Sequence, residues 1–128
     1  MSWSRSLSEF ADEQEKRLNA ELRATALQAL NGVVERSPVD TGRFRGNNQV
    51  TVGEETDEIL DREDKSGRTT LADGRRIIAG AKKPFTYIVI QNALPYAGIL
   101  EAGSSEQTNF QPGGIYAVTF NNLKERRR

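Results

Sequence analysis

The chain has 128 residues, of which 36% are hydrophobic and 28% charged, enough for one domain with a small core. It contains no Cys and no His. Thiolate nucleophiles, disulfides, Cys/His zinc sites and imidazole bases are therefore excluded. No apolar run has the length of a membrane span, and the first residues lack the apolar core of a signal peptide. We therefore expect a soluble protein without membrane contact that stays in the compartment where it is made.

Basic and acidic residues both number 18, so the net charge is zero, but the charges are unevenly distributed. Residues 53–66 hold seven acids against two bases, whereas residues 67–128 hold nine bases against four acids. A zero net charge does not favour a general nucleic-acid binder. The uneven distribution favours head-to-tail association between copies of the chain. The alternative is that the acidic segment and the basic end are simply solvated.

Residues 6–36 are predicted to form one long amphipathic helix, because apolar residues recur there every three or four positions. Residues 6–9 fit a capping box, and Ser37-Pro38 ends the helix because proline disfavours a helical residue before it. Such a helix is roughly 45 Å long. A domain of this size cannot cover that length, so we expect one end to project or to pack against a neighbour.

The rest of the chain has short segments rich in β-branched and aromatic residues. The predicted fold is α+β in a single domain, with the long helix packed on a small antiparallel sheet of three to four strands. A short helix or turn over 92–102 precedes the last strand, and 53–67 is predicted as a mobile loop or hairpin tip. The predicted strands are 49–52, 76–79, 85–90 and 115–120, in a β-rich body over 38–120 that is followed by a basic tail over 121–128.

The segment Val39-Asp40-Thr41-Gly42 has the signature of aspartic proteases, in which two Asp carboxylates activate water. A homodimer would supply one such Asp40 from each copy. Three features oppose this interpretation. Arg43 would hold the carboxylates ionised, the preceding segment is predicted to be a helix and not an apolar strand, and a long N-terminal helix does not suit an all-β protease. The alternative is a structural turn in which Asp40 and Thr41 bond local amides and Gly42 adopts a conformation that excludes a Cβ.

No phosphate-binding glycine loop and no metal-ligand pattern occurs, so we expect neither a cofactor nor a metal. Two basic clusters are candidates for contact with nucleic acid, but neither has the aromatic residues of a single-strand platform or the form of a recognition helix. They predict at most a non-specific contact with DNA phosphates. The clusters consist of Arg43 with Arg45, and of Arg75, Arg76, Lys82 and Lys83.

Two motifs, taken in order, resemble the tail-completion or neck proteins of long-tailed bacteriophages, which are minor tail components. The first is SPVDTGRFRGN over 37–47, directly after the long helix, where the family has Pro-Val-Asp-Thr-Gly followed by Arg and a polar residue. The second is QNALPYAGILEAGSSEQ over 91–107, similar to the family's Asn-x-x-Pro-Tyr-Ala and Leu-Glu-x-Gly run. The chain lacks the aromatic residue that the family often has near Asn47-Asn48, and its loop over 108–112 is longer.

The resemblance implies a structural virion protein, not an enzyme, that forms a ring, expected to be a hexamer. This ring would join the head connector or stopper to the tail terminator or tail tube and leave a lumen for DNA. The protein would occupy the neck of the virion, and the host cytoplasm during assembly. Alternatives are a tail terminator that caps the tube, the homodimeric aspartic protease using Asp40, and a non-viral nucleic-acid accessory domain.

The resemblance also selects two groups of residues, neither of them catalytic. The first group is a structural turn that sets the helix against the sheet: Pro38, Asp40, Thr41, Gly42 and Arg45. The second is a candidate subunit interface, for which ordinary core packing is the alternative: Asn92, Pro95, Tyr96, Ile99, Leu100, Glu101, Gly103 and Phe110.

Overall fold

A computed structural model describes residues 3–83, 86–102 and 114–126. Within these ranges the chain is α+β, with a long N-terminal helix and one two-stranded antiparallel sheet. No helix in the described ranges is both long and apolar enough to cross a membrane. The elements in chain order are α1 (Trp3–Arg36), α2 (Arg43–Gly46), β1 (Gln49–Val52), α3 (Arg68–Ala79), β2 (Ile88–Gln91), α4 (Ala97–Glu101) and α5 (Tyr116–Arg126).

Helix α1 has 34 residues and is therefore about 51 Å long. It begins before residue 6, so the predicted capping box lies inside the helix. It ends where predicted, at Arg36, and the Ser37 hydroxyl donates to the Val33 carbonyl over 2.6 Å. Asn19 and Arg23 bond α1 to the body by donating to the carbonyls of Lys82 and Ala81. We call residues 7–18, which precede these bonds, the arm.

The C-terminal half of α1 is the centre of the core. Helix α3 approaches it closely because Gly74 lacks a Cβ, which would overlap the end of the buried Leu30 side chain. Helix α5 packs on another side, where Arg36 bonds the Thr119 hydroxyl. Strands β1 and β2 pair from Gln49 opposite Gln91 to Val52 opposite Ile88. The buried cluster is Ala26, Leu30, Val33, Val34, Phe44, Val50, Ile78, Leu94, Leu100 and Ile115.

The prediction of three to four strands is wrong for the described residues, because two predicted strands are helical. Residues 76–79 are the last turn of α3, which buries Thr70, Gly74 and Ile78 at intervals of four. Residues 116–120 open α5, where Ile115, Thr119 and Leu123 are buried, again at intervals of four. A β-branched composition favours strands only weakly, and here the packing of a helix face on α1 overrides it.

The other boundaries also shift. The strand predicted over 85–90 is Ile88–Gln91, and Phe85 lies outside the described residues. The segment predicted as a β-rich body contains α2, α3 and α4 as well as the two strands. The short helix α4 therefore precedes a helix, and not a final strand. Helix α5 continues to Arg126, so most of the predicted basic tail is helical.

The acidic segment 53–67 has no helix or strand, as predicted, but it is not a hairpin tip. It connects β1 to α3 and is bonded to the residues around β1. Leu60 exchanges two hydrogen bonds with the Asn47 amide, and the Gln49 amide donates to the Glu58 carbonyl over 2.6 Å. Arg62 donates through Nε to the carbonyl of Gly46 over 2.7 Å. The side chains of Asn47 and Gln49 thus form hydrogen bonds with backbone groups of the acidic segment.

Asp64, near the end of this segment, caps the N-terminus of α3. Its side chain is buried and accepts hydrogen bonds from the amide and hydroxyl of Thr70, both over 2.8 Å, and from the amide of Gly67. Burial alone would raise the pKa of Asp64, but these hydrogen bonds, with one from Ser66, outweigh it and hold the pKa below its ordinary value. The charge of Asp64 therefore stabilises the start of α3.

Asp64 should make stability depend on pH in a defined direction. Because its pKa is lowered in the folded state, its contribution is full above the unfolded pKa of about 3.9 and is lost as the pH falls through the folded value. We expect Asp64→Asn to lower the free energy of unfolding by about 1 kcal/mol at neutral pH. The variant should also lose less stability than the wild type between about pH 6 and about pH 3.

Urea unfolding across that pH range measures both effects. Asp61→Asn is the matched control, because Asp61 is exposed in the same segment. Equal acid sensitivity of Asp64→Asn and wild type would show that Asp64 does not carry this charge-dependent cap.

Candidate functional site

The first motif is a turn built around Gly42. Gly42 has φ +89°, and a Cβ on it would lie 2.5 Å from the Lys65 amide nitrogen. Its carbonyl accepts hydrogen bonds from the amides of Gly46 and Asp64 over 2.8 and 3.0 Å. The turn therefore joins α2 to the end of the acidic segment, and only glycine fits both the backbone angle and the close approach.

The residues beside Gly42 divide into bonded and exposed groups. Pro38 is buried, and the Thr41 hydroxyl accepts a hydrogen bond from the Arg43 amide over 3.2 Å. Asp40 is exposed, and within the described ranges its carboxylate makes no hydrogen bond or ion pair. Thr41 thus makes the local hydrogen bond that the structural turn predicts. The local hydrogen bond predicted for Asp40 is not formed within the described ranges, because its side chain is exposed.

Arg45 fastens the end of α1 to the acidic segment. Its guanidinium donates to the carbonyls of Lys65, Ser37 and Glu35 over 2.7, 3.1 and 3.3 Å. Two of these carbonyls lie at the C-terminus of α1, where a positive charge is favourable to the helix dipole. The Nε atom is buried and has no partner among the described atoms. Arg45 is therefore bonded within the chain, through backbone acceptors.

Asn48 is buried, 1% exposed, and uses the whole hydrogen-bonding capacity of its amide. Its Nδ2 donates to the Ser37 hydroxyl over 2.8 Å and to the Arg45 carbonyl over 3.1 Å. Its Oδ1 accepts from the Tyr116 hydroxyl over 2.7 Å and from the Asn92 amide over 3.4 Å. One side chain thus connects the end of α1, α2, the end of β2 and α5.

The two motifs meet directly at Asn92. Its Nδ2 donates to the carbonyl of Phe44, 48 positions earlier in the chain, over 2.9 Å, and its Oδ1 accepts from the Leu94 amide. The rings of Phe44 and Tyr96 lie 6.1 Å apart, within the range of favourable aromatic pairs. The structure therefore brings the two motifs together into one site.

Glu101 caps α5 from a distant point in the chain. Its carboxylate accepts hydrogen bonds from three successive amides, those of Ile115, Tyr116 and Ala117, over 2.8–3.1 Å. These are among the amides that a helix leaves unpaired at its N-terminus, and a negative charge there is favourable. Gly114, at φ +97°, allows the approach, since a Cβ would lie 2.5 Å from Glu101 Oε2. The carboxylate is thus directed at the N-terminus of α5.

The Tyr116 phenol is buried close to the Glu101 carboxylate. Burial and the negative charge of Glu101 raise the pKa of Tyr116 well above its ordinary value. The phenol therefore stays protonated at neutral pH and acts as the donor to Asn48.

The exposed part of the second motif is a small surface around Tyr96. Pro95 and Gly98 are exposed, and Tyr96 is 37% exposed. Beside them lies a concavity of about 300 Å³ whose walls include Phe44, Ile90 and Ala97. Leu100 points the other way, into the core. Gly103, Phe110 and the side chain of Ile99 lie outside the described residues.

Sequence reasoning missed the two buried asparagines and the capping roles of Asp64 and Glu101. The signal that could have predicted the asparagines is their position, as an Asn-Asn pair between a glycine turn and a strand. Buried side-chain amides at such a place often form hydrogen bonds with the backbone of the loop. Within the described ranges, no group of three or more His, Cys, Asp or Glu residues is arranged to hold a metal ion.

No family model, curated protein or solved structure matches this chain.

The Glu101 cap is testable by comparing the two ends of α5. Glu101→Gln keeps the shape of the side chain and removes its charge, and we expect it to lower the free energy of unfolding by about 1 kcal/mol. Glu125→Gln is the matched control near the C-terminus of the same helix, where loss of a negative charge should be neutral or slightly stabilising. Urea unfolding measures both variants. Equal effects would contradict the cap.

Proposed function

We propose that this chain is a structural protein of the phage neck, forming a ring that joins the head connector to the tail tube. The observation that carries the proposal is the contact between the two motifs that resemble tail-completion proteins. Asn92 bonds the Phe44 carbonyl, and Tyr96 packs on the Phe44 ring. Residues far apart in the chain that resemble one family thus form one site here, which supports treating them as a functional unit.

The chemistry of this site favours assembly over catalysis. The carboxylates of Glu101 and Asp64 are occupied as helix caps, and Arg45 is bonded to backbone carbonyls. What the site leaves exposed is an aromatic ring beside a concavity lined in part by apolar side chains, and such anchors dominate subunit contacts. We therefore propose that the surface around Tyr96 contacts a neighbouring subunit, in a ring expected to be hexameric.

The proposed partners follow from the position in the virion. One face of the ring would contact the head connector or stopper, and the other the tail terminator or tail tube. The lumen would allow non-specific contact with DNA phosphates. Such contact requires exposed Lys or Arg side chains, but no groups that recognise particular nucleobases. The protein would act in the host cytoplasm during assembly and remain in the virion.

Two other functions remain as alternatives. A tail terminator would use the same ring geometry to cap the tail tube. The homodimeric aspartic protease would use Asp40, and the exposure of Asp40 on a surface turn is the feature that leaves room for a second copy beside it.

Gene deletion in a phage that encodes the chain distinguishes these functions. A neck protein predicts full heads and tails of normal length that remain unjoined, and purified chain should restore joining and infectivity. Overlong tails would instead identify a terminator. Normal joining without the chain, together with a stable dimer whose peptide cleavage is lost in Asp40→Asn, would contradict the proposal and identify a protease.

The contact surface is tested in the same complementation assay. Tyr96→Ala and Gly98→Glu should each reduce joining at least about tenfold, because one removes the anchor and the other places a charge on the proposed contact. A Cβ at Gly98 meets nothing within 4 Å, so this substitution leaves the monomer's packing intact. Tyr87→Ala is the control, since Tyr87 is 54% exposed outside the motif. Full activity of both Tyr96→Ala and Gly98→Glu would contradict the proposed contact.

A further inference from the structure

The arm of α1 carries an apolar stripe that nothing in the described part of the chain covers. Leu7 and Phe10 are each 61% exposed, and Leu18 is 57% exposed. Leu7 and Leu18 are eleven residues apart, about three helical turns, so they lie on the same side, with Phe10 beside Leu7. The stripe runs on at intervals of four through Leu22 into the buried face of α1.

The arm has a net negative charge. Residues 7–18 contain four acids and two bases, and both bases lie at the end nearest the body, at positions 16 and 17, so residues 7–15 contain no base. Asp12 and Glu13 are both exposed. An acidic helix with an apolar stripe requires a receiving surface that is basic and has an apolar depression, because both features must be matched at once.

Helix α3 and the turn after it form such a surface. Residues 68–83 contain five bases and one acid, and that acid, Asp73, is paired with Arg62 over 2.6 Å. The five bases are exposed: Arg68, Arg75, Arg76, Lys82 and Lys83. This basic surface therefore has a charge opposite to that of the arm and is not neutralised within its own segment.

A concavity of about 480 Å³ opens beside this basic surface, between α3 and the end of α1. Leu71 and Val34 supply apolar walls, Arg75 and Arg45 supply positive ones, and Glu35 adds a carboxylate on the α1 side. These walls suit a phenyl side chain whose neighbouring carboxylates lie on the α3 side, beside Arg75 and away from Glu35.

The arm cannot reach this concavity in its own chain. Helix α3 runs antiparallel to α1: Gly67 lies beside Val34, and the Lys82 carbonyl accepts from Asn19. The arm begins where α3 and its turn end and extends away from them. If α3 receives an arm, that arm therefore belongs to another copy. A contact between two different patches of identical chains is head-to-tail and closes into a ring at a suitable rotation.

We propose that the arm of one copy docks on α3 of the next copy, with Phe10 in the concavity beside Leu71 and the arm's acids against Arg75 and Arg76. That these contacts close into a ring, and do not form an open chain, rests on the proposed neck function. The stripe covers only a few hundred Å², less than the roughly 800 Å² per partner of a standard interface. The arm therefore adds to the contact around Tyr96 and does not replace it.

Charge reversal with rescue tests the pairing in the purified full-length chain. Sedimentation at low salt measures association of the wild type, of Asp12→Lys with Glu13→Lys, and of Arg75→Glu with Arg76→Glu. Each pair should weaken association at least about tenfold, and all four substitutions in one chain should restore it. Glu55→Lys with Asp57→Lys is the control and should leave association unchanged, because both residues are exposed, lie outside the arm and do not line the concavity that contains Arg76. A monomeric wild type, or loss without rescue, would overturn the proposal.

Crosslinking gives a second readout, because the chain has no natural cysteine. Ala11→Cys, which keeps the neighbouring Phe10, combined with Ser66→Cys at the rim of the concavity should give a ladder of covalent multimers with a short bis-maleimide. Ala11→Cys alone should give none. Dimers from Ala11→Cys alone would show that arms pair with each other and would overturn the proposal.

The two proposals fail separately. A ladder from a chain that does not join heads to tails would refute the neck function and leave the arm contact standing. Joining by a chain that gives no ladder would refute the arm contact alone.

Discussion

The buried amide of Asn48 is the interaction on which the rest of the structure depends. It is the point where the end of α1, the turn with α2, the end of β2 and the start of α5 are bonded to one group. A buried amide is costly unless all its donors and acceptors are matched, so any rearrangement of these four elements leaves unpaired polar atoms. The amide therefore specifies one arrangement of the two motifs, whereas apolar packing alone would tolerate several.

Prediction from sequence succeeded where local signals and tertiary structure agree. The end of α1 at Ser37-Pro38, strand β1 and the positive-φ turn at Gly42 all follow from nearby residues. It failed for residues 76–79 and for residues 116–120 of the last predicted strand, which have strand composition but form helices. The causes are distant in the chain: Gly74 admits Leu30 against α3, and Glu101 supplies the cap that α5 lacks locally. Neither contact is visible in a local window.

In the candidate site, too, local features could be predicted from the sequence and contacts between distant residues could not. The motifs could be located from their residue types, but their contact through Asn92 and Phe44 depends on the β1–β2 register, which no local pattern specifies. Likewise, the motif places Glu101 in the candidate subunit interface, but its bonds to the start of α5 could not be predicted from the motif. The exposed features are on other parts of the molecule: an aromatic surface at Tyr96, an acidic apolar arm and a basic α3. A chain of zero net charge thus has two patches of opposite charge, as the proposed head-to-tail contact requires.

The most direct test of this account is the coupling between Asn48 and Tyr116. Urea unfolding of Asn48→Ala, Tyr116→Phe and the double variant gives a double-mutant cycle. If Asn48 is the junction, removing the Tyr116 hydroxyl should matter much less once the Asn48 amide is gone, with a coupling energy of about 1 kcal/mol or more. Effects that add within about 0.3 kcal/mol would contradict the account, because the hydroxyl and the amide would then contribute independently.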